Sequence, residues 1–415
     1  MDLIVRNARP VGVEADPPVD IAVSGGRIVR IAPGIGEKGE REIDAGGRLV
    51  SPPFIEPHIH LDKTQIADEV APNRSGTLLG GIEVIWERKR RYTVEDIVKR
   101  AGRTIEMAVR NGTTRLRTHA DVDTVVGLRA VEGLLEVKKR FADLVDIQIV
   151  AFPQEGILRD PGTEDLLEQA MEMGADLVGG MPHHEKRPEH WGEHIDIAFG
   201  IAKRYDADID MHVDETDDPA IRSLEVLAER TIAESYQGRV TAGHTCALAA
   251  YPDDYAEQVI RKVKQAGLHM ITNPATNLVV QGRGDRGLIR RGITRVKELL
   301  AASVNVAFGQ DCVRDGFYPF GTADLLEIAL LTAHVAHLSL PEEIEEVFRM
   351  PTANSAKIWR SDDYGIREGG SADLVVIDCE TVLQAVQLHP PRLWVIRKGR
   401  LIAESRWTSR VHRSA

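Results

Sequence analysis

From residue 51 to residue 360 the chain alternates short apolar runs with segments of helical period. The runs are SPPFIEPHIH, TTRLRTHADVD, DIQIVAFPQEG, ADLVGGMPHHE, ADIDMHVDE, RVTAGHT, LHMITNPATN and VNVAFGQDC. Each is short, apolar and bounded by Gly, Pro, Asn or Asp, the pattern of a buried strand. Between them, apolar residues recur every three or four positions in VEDIVKRAGRTIEMAVRN, VVGLRAVEGLLEVKKRFA, TEDLLEQAMEMG, HIDIAFGIAKRY, AIRSLEVLAERTIAES, AEQVIRKVKQAG and GITRVKELLAAS. Several of these end in Gly or Asn, as helix C-termini do. Eight strands alternating with helices predict an α/β fold, a (β/α)8 TIM-type barrel, over residues 51–360. A doubly wound sheet is the alternative, but no Gly-rich phosphate fingerprint follows the first run. The stretch APNRSGTLLGGIEVIWERKRRYT, after the first strand, is long enough to fold over the barrel mouth.

The two chain ends have a different texture. LIVRNARPV, DIAVSGGRIVRIAPG and REIDAGGRLV lie before the barrel, and SADLVVIDC and RLWVIRKGRLIAESRW after it. All are β-rich and separated by Gly and Asp. Residues 1–50 and 361–415 are therefore expected to pair into one small β-sandwich domain, with two separate hairpin caps as the alternative.

Composition narrows the function classes. A chain of 415 residues has room for a barrel plus an appendage. A net charge of −12 without a basic stripe argues against nucleic acid as a partner. Cys246, Cys312 and Cys379 are too few and too scattered for a disulfide framework, which fits a reducing cytoplasm. The N-terminus lacks the basic-then-apolar order of a signal peptide, and no run approaches the roughly 18 apolar residues of a membrane helix. A cytoplasmic protein with neither membrane nor nucleic-acid partner is expected.

In a barrel of this type the chemistry sits at the C-terminal ends of the strands. His58 and His60, two apart, share one face at the end of the first strand. His212 followed by Glu215 ends the fifth, His244 the sixth and Asp311 the eighth. Imidazoles and a carboxylate from four strands meeting at one rim, with room for a water, are the donor set of a catalytic metal site.

HIH on the first strand, HVDE on the fifth, the His of TAGHT and the Asp of GQDC together resemble the amidohydrolase superfamily. More closely, PPFIEPHIHLDKTQ, RTHADVD, DIQIVAFPQEGI, QGRGD, RRGITRVKELL and FYPFGTAD are similar to bacterial cytosine deaminases, and also to N-isopropylammelide amidohydrolases. The similarity runs from about residue 3 to 405. It implies one divalent ion, Fe(II) or Zn(II), held by His58, His60, His212 and Asp311. Binuclear relatives carry a lysine at the end of the fourth strand, which here reads ADLVGGMPHHE, so a single ion is expected. The donor types suit both metals. Deaminases of bases within nucleic acid use HxE with PCxxC, and no CxxC occurs here. The partner is then a free heterocycle.

The expected reaction is hydrolytic deamination of a pyrimidine base. The ion makes hydroxide available near neutral pH for attack on the ring carbon. Glu215 is placed as the general acid–base that moves the proton to a ring nitrogen. His244, by the resemblance more a hydrogen-bonding partner than a ligand, and Asp311 would orient the nucleophile and help protonate departing ammonia. The resemblance makes Gln154 a reader of the ring's carbonyl and nitrogen. His119 and Asp121 are expected either to support the ligands or to form a structural hydrogen-bonded pair, and His183 and His184 to pack in a loop or face solvent. The remaining histidines are read as structural.

Cys312 departs from the cytosine deaminase pattern, which has a second aspartate there. A lost charged hydrogen bond costs on the order of 2 kcal/mol, and burial of one methyl-sized substituent recovers about 0.8 kcal/mol. Phe317, where a Trp is common, also trims the pocket. These residues point to a 5-substituted cytosine such as 5-methylcytosine. The alternatives are an s-triazine of the ammelide type, isocytosine or creatinine, and, remotely, a non-catalytic scaffold. A homo-oligomer is expected from the resemblance.

Overall fold

The computed structural model describes residues 1–13, 17–290 and 292–412. Among the described residues, eight parallel strands form one barrel sheet in chain order: Phe54–Ile59, Thr113–Asp121, Asp146–Phe152, Leu177–Gly180, Asp208–Val213, Val240–His244, His269–Thr272 and Asn305–Phe308. They are termed the first to eighth barrel strands. Each is buried nearly throughout, because helices cover the outside of a parallel sheet and its inside is filled. The seven segments of helical period are helical, Val94–Arg110 and Asp253–Gln265 being the most sharply two-sided.

The seam between the first and eighth strands is not a regular ladder. Asp311, just past the eighth strand, bridges to Ile59. Its N–H donates to the His58 carbonyl at 2.9 Å, and its own carbonyl accepts from His60 N–H at 3.0 Å. Glu56 adds a side-chain staple. Its two oxygens accept from His58 N–H at 2.9 Å and Gln310 N–H at 3.0 Å. Burial raises its pKa to about 8, against the effect of those two hydrogen bonds. Gly309 precedes this bridge because a Cβ there would stand 2.6 Å from the His58 carbonyl oxygen.

Both chain ends build a second sheet. Leu3–Pro10 pairs with Val19–Ser24 from Leu3 to Ala8, with Arg41–Asp44 through its first half and with Leu49–Ser51 through its end. Leu49–Ser51 then pairs antiparallel with Leu374–Ile377, which continues to Arg392–Arg397 and Arg400–Glu404. Alternation along Leu374–Ile377 shows how this domain is held. Leu374 and Val376 join the domain's own core, while Val375 and Ile377 join the core of the barrel.

The stretch expected to fold over the mouth does so as a helix, Leu78–Lys89. Thr77 caps it by accepting from Gly80 N–H at 3.2 Å. At its other end Lys89 reaches into the barrel rim and binds Asp123 at 2.6 Å, Asp121 at 2.8 Å and Glu155 at 3.3 Å. The adjacent glycines in its first turn weaken the helix signal, each by roughly 1 kcal/mol relative to alanine. Gly81 is there for space, since a Cβ on it would come within 2.3 Å of the Phe317 ring. Gly81→Ala is expected to destabilise the fold by about 1–3 kcal/mol through overpacking. Denaturant titration checks this, and an unchanged midpoint would mean that Phe317 moves aside freely. No helix among the described residues is long and apolar enough to cross a membrane.

Candidate active site

The strand ends bring His58, His60, His212 and Asp311 together, their ligand atoms all within 4.8 Å of one another. His60 Nε2 and His212 Nε2 face each other at 3.1 Å. Asp311 Oδ1 lies 3.3 Å from His60 Nε2 and 3.6 Å from His58 Nε2. His58 Nε2 is buried without a hydrogen-bond partner among the described residues. Burial and the surrounding imidazoles push His58 and His212 well below the usual histidine pKa, so both present lone pairs at neutral pH. Burial would raise the Asp311 carboxyl, but hydrogen bonding to His60 and the nearby His244 and His58 hold it below the usual carboxylate range. Three imidazoles and a carboxylate converging on one point fit a divalent cation.

Asp311 and His244 both adopt left-handed backbone conformations, φ 64° and 69°. Non-glycine residues hold such angles only where surrounding structure imposes them, as active sites often do.

Beside the cluster, His244 Nδ1 lies 3.1 Å from Glu215 Oε1, and Asn277 Nδ2 donates to the same oxygen at 3.1 Å. Asn273 Nδ2 lies 3.1 Å from His244 Nε2. Burial favours the neutral form of His244, but the Glu215 carboxylate, with Asp311 and Asn277, raises its pKa above the usual value. The loop carrying Glu215 is held by Asp214, which accepts from Ser223 N–H at 2.9 Å, Leu224 N–H at 3.0 Å and the Tyr251 hydroxyl at 3.0 Å.

Glu215, His244, Gln154, Cys312 and Phe317 share one cavity with His60, His212 and Asp311, under Leu78 of the mouth helix. Its free volume is only about 20 Å³, room for a water but not for a ring. A larger open cavity of about 430 Å³ lies outside it, and Glu215 touches both. Cys312 is buried, with Sγ 3.8 Å from Asp311 Oδ1, and burial holds its thiol protonated.

Several residues fall where the sequence reading left them open or silent. His119 and Asp121 do not bond to each other. His119 Nε2 lies 3.4 Å from His58 Nδ1, beneath the cluster, while Asp121 binds Lys63 and Lys89. His183 and His184 line the outer cavity. Asn273, Asn277 and Lys63 went unnoticed. Asn273 follows the seventh strand directly and Asn277 sits in the helix Pro274–Val280 just after it, where the strand-end rule applies equally.

The sequence profile of the amidohydrolase family matches residues 41–403. The chain belongs to the amidohydrolase family. A crystal structure of 5-methylcytosine deaminase from Klebsiella pneumoniae liganded with 5-fluorocytosine superposes with a TM-score of 0.94 at 40% identity, covering 99% of each chain. N-isopropylammelide isopropyl amidohydrolase of Pseudomonas sp. strain ADP is 34% identical over 97% of both chains. Pterin deaminase of Rhizobium rhizogenes is 31% identical over 93% of this chain and 88% of its own length. Amidohydrolases of this family are metal-dependent, and the His–Asp cluster in this member could bind the ion. Such relatives along the whole chain mark it as a hydrolase of carbon–nitrogen bonds.

Proposed function

We propose that this amidohydrolase deaminates a free pyrimidine base, cytosine or a 5-substituted cytosine such as 5-methylcytosine. The observation that carries the reading is the make-up of the inner cavity. An amide and a thiol, Gln154 and Cys312, stand with a carboxylate–imidazole pair, Glu215 and His244, around one ligand cluster. The 40% identity to a 5-methylcytosine deaminase supports it.

His58, His60, His212 and Asp311 would hold one Fe(II) or Zn(II) ion, which when bound would acidify a water to near neutrality. Glu215 takes a proton from the attacking water and delivers it to the ring nitrogen, so that the amidine carbon becomes tetrahedral. Asn277 fixes the carboxylate while this happens. His244, held by Asn273, orients the nucleophile. With Asp311 it moves the proton of the new C–O–H group to the amine, so that the carbon–nitrogen bond breaks, a ring carbonyl forms and ammonia leaves. The inner cavity, lined by Leu78 and Phe317 among others and only about 20 Å³ in volume, must widen to admit the ring.

A second reading, release of an alkylamine from an ammelide-type s-triazine, is favoured by the 34% identical relative. Purified protein assayed with cytosine, 5-methylcytosine, isocytosine, ammelide and N-isopropylammelide, with ammonia and isopropylamine measured separately, decides between them. Isopropylamine release without ammonia from any pyrimidine would replace the first reading by the second. Cys312→Asp restores a carboxylate beside the ring and removes apolar volume. It is expected to shift the ratio of kcat/KM for 5-methylcytosine over cytosine toward cytosine by about fourfold, the worth of one buried methyl. An unmoved ratio removes Cys312 from the choice of ring.

A further inference from the structure

Lys63 follows the first barrel strand and is almost fully buried, 1% exposed. Its Nζ donates to Asp121 Oδ1 at 2.7 Å and to Gln154 Oε1 at 2.8 Å. The rings of Phe152 and Phe317 lie 5.6 Å and 5.7 Å from the ammonium. Asp121 is tied in turn to Lys89 at 2.8 Å, on the mouth helix. Burial opposes the charge on Lys63, but Asp121 and Asp62 keep it an ammonium.

An ammonium offers donors only. The Gln154 oxygen must therefore face Lys63, and the amide NH2 must face the other way. Nε2 lies 3.5 Å from Met181 Sδ, a weak acceptor that uses one N–H at most. The other N–H is left for the cavity that Gln154 lines. Against such a donor a ring carbonyl pairs and an amino group opposes, N–H against N–H.

Deepening the deaminase reading, on which it rests for the kind of ring, we propose that Lys63 is a positioning residue that locks Gln154 as a donor. The site thereby selects rings bearing an oxo rather than an amino group meta to the attacked carbon. Cytosine and 2,4-diaminopyrimidine differ in that group and in the hydrogen on the ring nitrogen beside it, and release the same ammonia.

The test compares kcat/KM for these two rings in the metal-loaded full chain. Wild type is expected to favour cytosine by about 10²-fold or more, because a fixed donor rejects a partner that cannot accept. Lys63→Met keeps the stem and frees the amide to turn, and Asp121 retains Lys89. The preference should fall by at least about tenfold, the worth of one such hydrogen bond, with metal content unchanged. Gln154→Glu, a carboxylate facing Lys63 with no N–H to offer, should lower the preference similarly and covers the case in which Lys63→Met does not fold. An equal fall in both rates, leaving the ratio at its wild-type value, reduces Lys63 to a packing role and overturns the proposal. If wild type releases no ammonia from any ring, the deaminase reading fails by itself. Calorimetric binding of uracil against 2,4-diaminopyrimidine then decides the inference, and equal binding, or none, overturns it.

Discussion

Glu215→Gln is expected to lower kcat by about 10²–10⁴-fold, the usual worth of a positioned general acid–base, while KM and metal content stay near wild type. The substitution preserves shape. An amide oxygen can still accept from Asn277 Nδ2, which now donates to Glu215 at 3.1 Å. What disappears is the ability to take a proton from water and hand it on. Because Glu215 stands outside the cluster of His58, His60, His212 and Asp311, the ion should remain. An ammonia-release assay paired with elemental analysis separates the outcomes. Loss of metal in step with loss of rate would make Glu215 a ligand and move the proton-transfer role to His244.

Removal of the ion by a chelator is expected to abolish turnover, and Fe(II) or Zn(II) to restore it. The same treatment should lower thermal stability, because a ligand present at a thousand times its Kd stabilises the state it binds by about 4 kcal/mol. Burial and the neighbouring imidazoles place His58 and His212 well below their ordinary pKa of 6.5. In the folded, metal-free protein both are already neutral at pH 7, so through them the ion displaces no proton. Reloading affinity should therefore stay level from pH 8 down to about 6.5 as far as these two ligands decide it. It should fall only when the pH drops through their lowered folded-state values. In the unfolded chain the same two residues begin to take up protons near pH 6.5, so acid weakens the metal-free fold before it weakens the ligands' basicity. Calorimetric reloading in two buffers of different ionisation enthalpy counts the protons. A release of two near pH 7 would mean that both imidazoles are charged in the metal-free site.

The barrel was legible because its strands are short, apolar and separated by helices of strong period, a pattern set by burial on both faces of a parallel sheet. The meeting of His58, His60, His212 and Asp311 was legible for a related reason. A rule of fold places chemistry at strand ends, and four of those ends carry donors. Legibility stopped where function depends on contacts across the rim. Nothing adjacent to Lys63 in sequence foretells that it meets Asp121 and Gln154, 58 and 91 residues away. The mouth helix was hidden by Gly80 and Gly81, whose local cost is offset by contacts with Phe317 and the buried Lys89. Asn273 and Asn277 lie in plain view just past a strand end. They drew no notice because an amide carries neither charge nor metal affinity of its own.

Asp311 stitches the last strand to the first through its backbone and turns its carboxylate toward the ligand cluster. His58 and His60 flank the same stitch from the other side. The ring of strands and the coordination shell thus share one clasp. An ion seated there would brace the barrel where its ladder is thinnest, and any breathing of that joint would loosen three ligands at once. Metal retention in this enzyme is then a property of the whole closed cylinder, open to change by substitutions that never touch the ion.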